Sequence, residues 1–279
     1  MSPTPNKDLA KLKEDIIQLG PWHLDVQVTR ELSTRAFLET PDGQHESGPP
    51  RKRPVSFINA RPAWQSLVRK IYPDGLEGRS FLDCACNCGG YSLWTKELGA
   101  GRIFGFDVRE HWIRQAKFLL EHREWPRDEI QFEVLDLYDL PTRDLERFDM
   151  TLFKGIFYHL PDPVAGLKLA ADLTREVLIV ETNARVDLPD GMLAVQQEGT
   201  EHPMSGVYGL NWVPTGPDVM ARILNWMGFG ETRLTSWVAT RVYEGEQFGR
   251  LQIVGARAAG RLDQLEPVTE LRTMATERK

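Results

Sequence analysis

The run Ser80-Phe81-Leu82-Asp83-Cys84-Ala85-Cys86-Asn87-Cys88-Gly89-Gly90, followed by an acid at Asp107, concentrates the residues best suited to chemistry. Its apolar start reads as a strand, its small residues as a tight turn, and its end as a helix start. Arg102-Ile103-Phe104-Gly105-Phe106 is a second strand that ends on Asp107. Such a junction lets the backbone approach a ligand, while a carboxylate about 20 residues on accepts both ribose hydroxyls. The chemistry expected is that of a nucleoside cofactor. A dinucleotide fits poorly, because pyrophosphate calls for a Gly-x-Gly-x-x-Gly bend and the first two glycine positions hold Ala85 and Asn87. Asparagine at the second is tolerable, since it reaches positive φ more readily than most residues.

All three cysteines, Cys84, Cys86 and Cys88, sit in this turn. Structural zinc takes four ligands, with a second pair elsewhere in the chain, and no second pair exists, so no metal is expected. Neighbours two apart are poor disulfide partners. The thiols read as free, small, soft fillers beside a ligand, in keeping with a reducing cytosol.

The elements that must hold these residues follow from length and pattern. The 279 residues suffice for a sizeable core. No apolar run approaches membrane-spanning length, and the first seven residues lack the apolar core of a signal peptide, so the expected location is the cytoplasm. A net charge of −6 supplies no overall basic field; Arg51-Lys52-Arg53 is the one dense basic cluster. That trio could bind phosphate or carboxylate, or simply be a solvated surface.

Leu9, Leu12, Ile16 and Ile17 recur at helical spacing between Lys7 and Leu19, and Gly20-Pro21 stops the helix. Residues 22–28 alternate like a strand, 40–54 form a polar loop, and a helix over about 62–71 leads into the first sheet strand. Strands at 130–134, 148–153 and 177–181 then alternate with helices, including one capped by Asp162 with Pro163 in its first turn. Residues 182–215 read as a long loop. Thr215 and Asp218 resemble a helix start with a face of Val219, Ile223 and Trp226, and residues 232–240 and 251–256 form a terminal hairpin.

The turn resembles the first motif of class I S-adenosylmethionine-dependent methyltransferases, usually Leu-Asp-x-Gly-x-Gly-x-Gly, with only Gly89 of its three glycines kept. The resemblance implies an α/β fold: a Rossmann-like, seven-stranded, mostly parallel sheet with helices on both faces and a terminal antiparallel hairpin, plus an N-terminal helical and extended extension. The expected organisation is 1–75 as that extension, forming a lid or packing on the core, 76–258 as the methyltransferase domain with 182–215 as its substrate loop, and 259–279 as a loosely held charged tail. A nearer likeness is to the tRNA wobble-uridine methyl- and carboxymethyltransferase-like group. It is carried by Pro21-Trp22-His23, Tyr158-His159-Leu160-Pro161 and Asn211-Trp212-Val213-Pro214.

The resemblance implies S-adenosyl-L-methionine as cofactor. It assigns Asp83, Cys84, Ala85, Cys86, Asn87 and Gly89 to the turn that holds it. Asp107 with Val108 would take the ribose, Asp136 with the Leu137 amide the adenine, and Lys154 and Gly155 would border the methionine portion. Asp107 could instead cap the next helix, Asp136 could be an ordinary turn residue, and Lys154 could face an anionic group or solvent. His159 is the candidate base for a hydroxyl or amine acceptor, with Tyr158 beside it holding substrate; each could equally brace the loop. His23, Tyr208, Asn211 and Trp212 are candidates to roof the substrate cavity, or to be anchoring plugs. The acidic balance favours a small metabolite or sugar as acceptor. A tRNA wobble uridine is the alternative, in which case a carboxylated cofactor would require a cation in the pocket with Lys154 the nearest, and a non-catalytic S-adenosylmethionine-binding protein is the third reading.

Overall fold

The structure, a computed structural model, describes residues 9–34, 60–201, 204–243 and 245–273. The polar loop at 40–54 and its basic trio lie outside the described residues. Helices α1 (Leu9–Gln18) and α2 (Ala60–Ile71) precede an alternating run: β1 (Ser80–Cys84), α3 (Gly90–Lys96), β2 (Arg102–Asp107), α4 (Glu110–Glu121), β3 (Ile130–Val134), β4 (Phe148–Lys154), α5 (Pro163–Asp172) and β5 (Thr174–Arg185). Then follow β6 (Leu193–Gln197), β7 (Leu210–Pro214), α6 (Pro217–Trp226), β8 (Glu231–Tyr243), β9 (Glu246–Ala256) and the two-residue β10 (Arg272–Thr273).

The main sheet has the order β10-β8-β9-β5-β4-β1-β2-β3. Strand β9 runs antiparallel between β5 and β8, which is the arrangement expected for the terminal hairpin, and β10 adds a short eighth strand alongside β8. Successive side chains of a strand point to opposite faces. Phe81, Ile103, Ile130, Met150 and Ile179 accordingly join one core with α1 to α4, while Leu82, Phe104, Phe106, Phe153 and Leu178 join a second core with α5 and α6. The chain leaves β1 towards β2 and β3, then returns to β4 on the other side. That reversal opens a crevice at the carboxyl ends of β1, β2 and β4, where ligands bind in such sheets.

Gly105 in the middle of β2 keeps this layer thin. A Cβ there would lie 2.8 Å from the Phe132 ring and 3.2 Å from the Ser92 hydroxyl, and overpacking of this kind costs about 1–3 kcal/mol. Gly105→Ala should therefore lower the urea-unfolding free energy by that amount, and an unchanged midpoint would show that the layer yields freely.

Several expectations are corrected. Residues 22–28 are not a sheet strand: Trp22, Leu24, Val26 and Val28 are buried, but the segment pairs only through a single bridge, Gln27 to Ser33, and its alternation comes from packing on helices. The 182–215 stretch is not all loop, because β5 continues to Arg185 and β6 pairs with β7 in a separate two-stranded sheet. Helix α6 buries Met220 and Leu224 and leaves Trp226 69% exposed. Its first turn is capped by the Asp190 carboxylate, which accepts from the Asp218 amide at 2.9 Å, so Thr215 does not cap it. The described part of the tail is packed down through buried Leu262 and Leu265. On α1, Leu12 and Ile16 are buried whereas Leu9 and Ile17 are exposed.

Candidate active site

One cleft opens at the strand ends. Its lining includes Asp83 of β1 with Ala85, Cys86 and Asn87 of the first turn, Asp107 at the end of β2 with Val108, Asp136 and Leu137 after β3, and Lys154 at the end of β4 with Gly155, Tyr158 and His159 beyond it. Ala85 (φ 56) and Asn87 (φ 51) both adopt the left-handed conformation that glycine usually supplies. The turn therefore keeps the glycine-like path without its glycines. Gly155 (φ 72) has open space where a Cβ would go, so its glycine serves the backbone turn rather than packing.

Asp107 is buried and organises the turn. Its Oδ2 accepts from the Asn87 amide and its Oδ1 from the Arg109 amide, each at 3.0 Å. A carboxylate has about four acceptor sites, which leaves room on both oxygens for two ribose hydroxyls. Burial pushes its pKa up to about 6. Asp83, raised to about 7 by burial, accepts from the Ser92 hydroxyl at 2.7 Å. Open left-handed backbone, a buried acid with spare acceptor capacity, and a cleft wall with Val108 and Leu137 fit a nucleoside cofactor.

Two of the assigned turn residues lie off the cleft. The Cys84 side chain faces the second core, and Gly89 is a packing glycine whose Cβ would come within 2.7 Å of Phe132. All three cysteines are free and buried, with Cys84 in the core opposite that of Cys86 and Cys88. Burial raises the pKa of each thiol, that of Cys88 to about 12.

Residues 204–208 roof the cleft and fasten to every loop beneath. Arg109 donates to the Ser205 carbonyl at 2.9 Å, the Gly206 amide donates to His159 Nδ1 at 3.0 Å, and the Tyr208 hydroxyl donates to Asp136 Oδ2. Asp136 Oδ1 also accepts from the Tyr138 amide at 2.9 Å. His159 Nδ1 lies 2.8 Å from Glu198 Oε2 as well, so this nitrogen is engaged by the roof. A Cβ on Gly206 would stand 2.8 Å from both His159 and Glu198, which explains a glycine at that position. Tyr208 thus lies in the roof, and His23 lines the cleft with its ring 5.1 Å from Trp112. Asn211 and Trp212 do not line it: they lie on β7, where the Trp212 indole donates to the Pro161 carbonyl at 3.1 Å.

At the far end, neighbouring strands align charges in a row. Lys154, the last residue of β4, registers with Glu181 of β5, and Glu181 registers with Gln252 of β9. Glu181 Oε1 accepts from Lys154 Nζ and, at 3.1 Å, from Arg250; its Oε2 accepts from Gln252 at 3.1 Å. Burial pushes the Glu181 carboxyl up, but the two cations outweigh it and hold the pKa at about 2. Burial lowers the Lys154 pKa. Both cations and Tyr91 line the cleft. Sequence reasoning missed Arg250, Glu181, Tyr91 and Arg109. The available signal was polar Arg250 and Gln252 alternating with buried Leu251 and Ile253 on one strand.

A methyltransferase domain family model matches residues 76–214. The tRNA U34 carboxymethyltransferase of Campylobacter lari is 28% identical over 220 residues, covering 73% of each chain. That of Campylobacter hominis is 34% identical over 117 residues, 40% of this chain and 39% of its own. Among solved structures, the N-terminal domain of EvdMO1, crystallised with S-adenosylhomocysteine and D-fucose, aligns at TM-score 0.65 with 18% identity, covering 90% of this chain and 97% of that one. Residues 76–214 thus belong to a methyltransferase domain family, and the sheet, with β9 antiparallel between β5 and β8, is that of the class I S-adenosylmethionine-dependent methyltransferases.

Proposed function

We propose that the enzyme modifies a wobble uridine of tRNA, and that the group it transfers carries a carboxylate. The observation that carries the reading is the pair of cations, Lys154 and Arg250, sharing the single carboxylate of Glu181 at one end of the cleft. Counted among these three side chains alone, one positive charge is left over, carried at the cleft by Arg250, whose side chain is 41% exposed. A carboxylate on the transferred group pairs with it. The similarity to tRNA U34 carboxymethyltransferases over 73% of both chains supports the same reading, and moves the acceptor from the small metabolite that net charge favours to a tRNA base.

In this reading the cofactor, when bound, supplies an activated carbon on a sulfonium. Asp107 takes the ribose, the 85–87 backbone passes beneath it, and Asp136 with the Leu137 amide takes the adenine. His159 is a positioning residue: its Nδ1 secures the roof through Gly206 and Glu198, and the roof excludes water from the reacting carbon. Tyr158, buried beside Arg250, borders the transferred group. His23 borders the cleft beside Trp112, and Tyr208 closes it over Asp136.

Incubating the protein with a carboxylated S-adenosylmethionine and unmodified or partly modified tRNA, with S-adenosylmethionine as the comparison donor, followed by nucleoside mass spectrometry, tests this directly. A carboxymethyl addition at the wobble uridine is expected, together with tRNA retention that weakens steeply as salt rises. Retention no greater than that of an unrelated acidic protein, with no altered nucleoside, would remove the tRNA reading.

A further inference from the structure

The row Lys154–Glu181–Gln252 with Arg250 poses a problem for a sulfonium enzyme. Two cations border the cleft where a positively charged reagent must lie, and like charges a few ångströms apart repel strongly where water is scarce. Glu181 is the anion the structure sets against them. Its Oε1 holds both cations, and Gln252 fixes its other oxygen. The sheet register puts Lys154, Glu181 and Gln252 side by side on neighbouring strands, and the contacts with Lys154, Arg250 and Gln252 hold the carboxylate between them.

We propose that Glu181 sets the charge at the reacting end of the cleft. By cancelling one of the two cations it admits a sulfonium, and by leaving the other it retains a charge for an anionic group on the transferred carbon. Glu181 is a positioning residue on this account, acting through Lys154 and Arg250. The carboxylate part rests on the proposed function; the sulfonium part rests only on the cofactor class.

Calorimetry with S-adenosylmethionine and its uncharged thioether product, S-adenosylhomocysteine, separates a charge effect from a merely structural one. The two ligands differ at the sulfur in charge and a single methyl group, so their affinity ratio reads the local field. Glu181→Gln adds one unit of positive charge and should weaken S-adenosylmethionine about ten- to a hundredfold more than S-adenosylhomocysteine, for charges several ångströms apart at intermediate dielectric. Adding Lys154→Met to that variant restores the charge count and should return the ratio to near wild type. Lys154→Met alone should move the ratio the opposite way, favouring the sulfonium, and this variant keeps the proposal open to refutation should Glu181→Gln fail to fold. Equal weakening of both ligands, or a ratio unmoved by Lys154→Met, would overturn the inference while leaving the cofactor assignment intact. Failure of the wild-type protein to bind either ligand would instead strike the cofactor site itself.

Discussion

Asp107→Ala is expected to weaken S-adenosylhomocysteine binding by about 10²- to 10⁴-fold. The lost interactions are two hydrogen bonds to an ionised carboxylate, each about 1.5–3 kcal/mol, or about 3–6 kcal/mol together, which converts to that range of affinity. The same side chain accepts from the Asn87 and Arg109 amides, so alanine also loosens the turn. Asp107→Asn keeps one acceptor oxygen and should fall between the two. Isothermal titration at several pH values adds an independent readout. The ionised form accepts both hydroxyls, and burial sets its pKa at about 6, so affinity should drop as pH falls through about 6. The stability of the free protein runs the other way. The folded pKa lies above the ordinary 3.8, so this group's contribution is fully present below about 4 and is lost as pH rises through about 6. Undiminished binding by Asp107→Ala would exclude the ribose role.

Arg250→Leu is the second large effect. It should weaken a carboxylated S-adenosylmethionine about ten- to a hundredfold, the consequence of losing a charge-assisted hydrogen bond of about 1.5–3 kcal/mol. Binding of S-adenosylhomocysteine, which has no carboxylate on the transferred carbon, should change only a fewfold. Lys154 and Glu181 remain paired in this variant, so Glu181 is not left without a cation. Equal losses for both ligands would assign Arg250 a structural role and remove the main physical support for carboxymethyl transfer.

The parts of this site that were legible in the sequence are local. A strand, a turn of small residues and an acid at the end of the next strand are consecutive features with fixed spacing, so Asp83, Ala85, Asn87 and Asp107 could be placed before any tertiary contact was known. The same holds for Asp136, Lys154, Gly155, Tyr158 and His159, which stand at or just beyond the ends of β3 and β4. What could not be read is set by register across strands distant in sequence. Glu181 and Arg250 meet because β9 inserts antiparallel beside β5, and nothing in either segment alone announces the pairing. The roof shows the same limit. Tyr208 reaches Asp136 across 72 positions, whereas Asn211 and Trp212, only a few residues on, are claimed by the β6–β7 ribbon. Helix α6 shows how a strong local pattern can mislead: Trp226 is apolar and correctly spaced, yet Met220 and Leu224 occupy the buried stripe.

A crystal structure with S-adenosylhomocysteine shows directly whether the nucleoside lies where Asp107 can hold it. The ribose hydroxyls are expected on the Asp107 carboxylate, the backbone of Ala85 to Asn87 beneath the nucleoside, and the sulfur at the end of the cleft nearest Lys154, Glu181 and Arg250. A nucleoside lodged elsewhere, or an Asp107 side chain making no contact with it, would contradict the account.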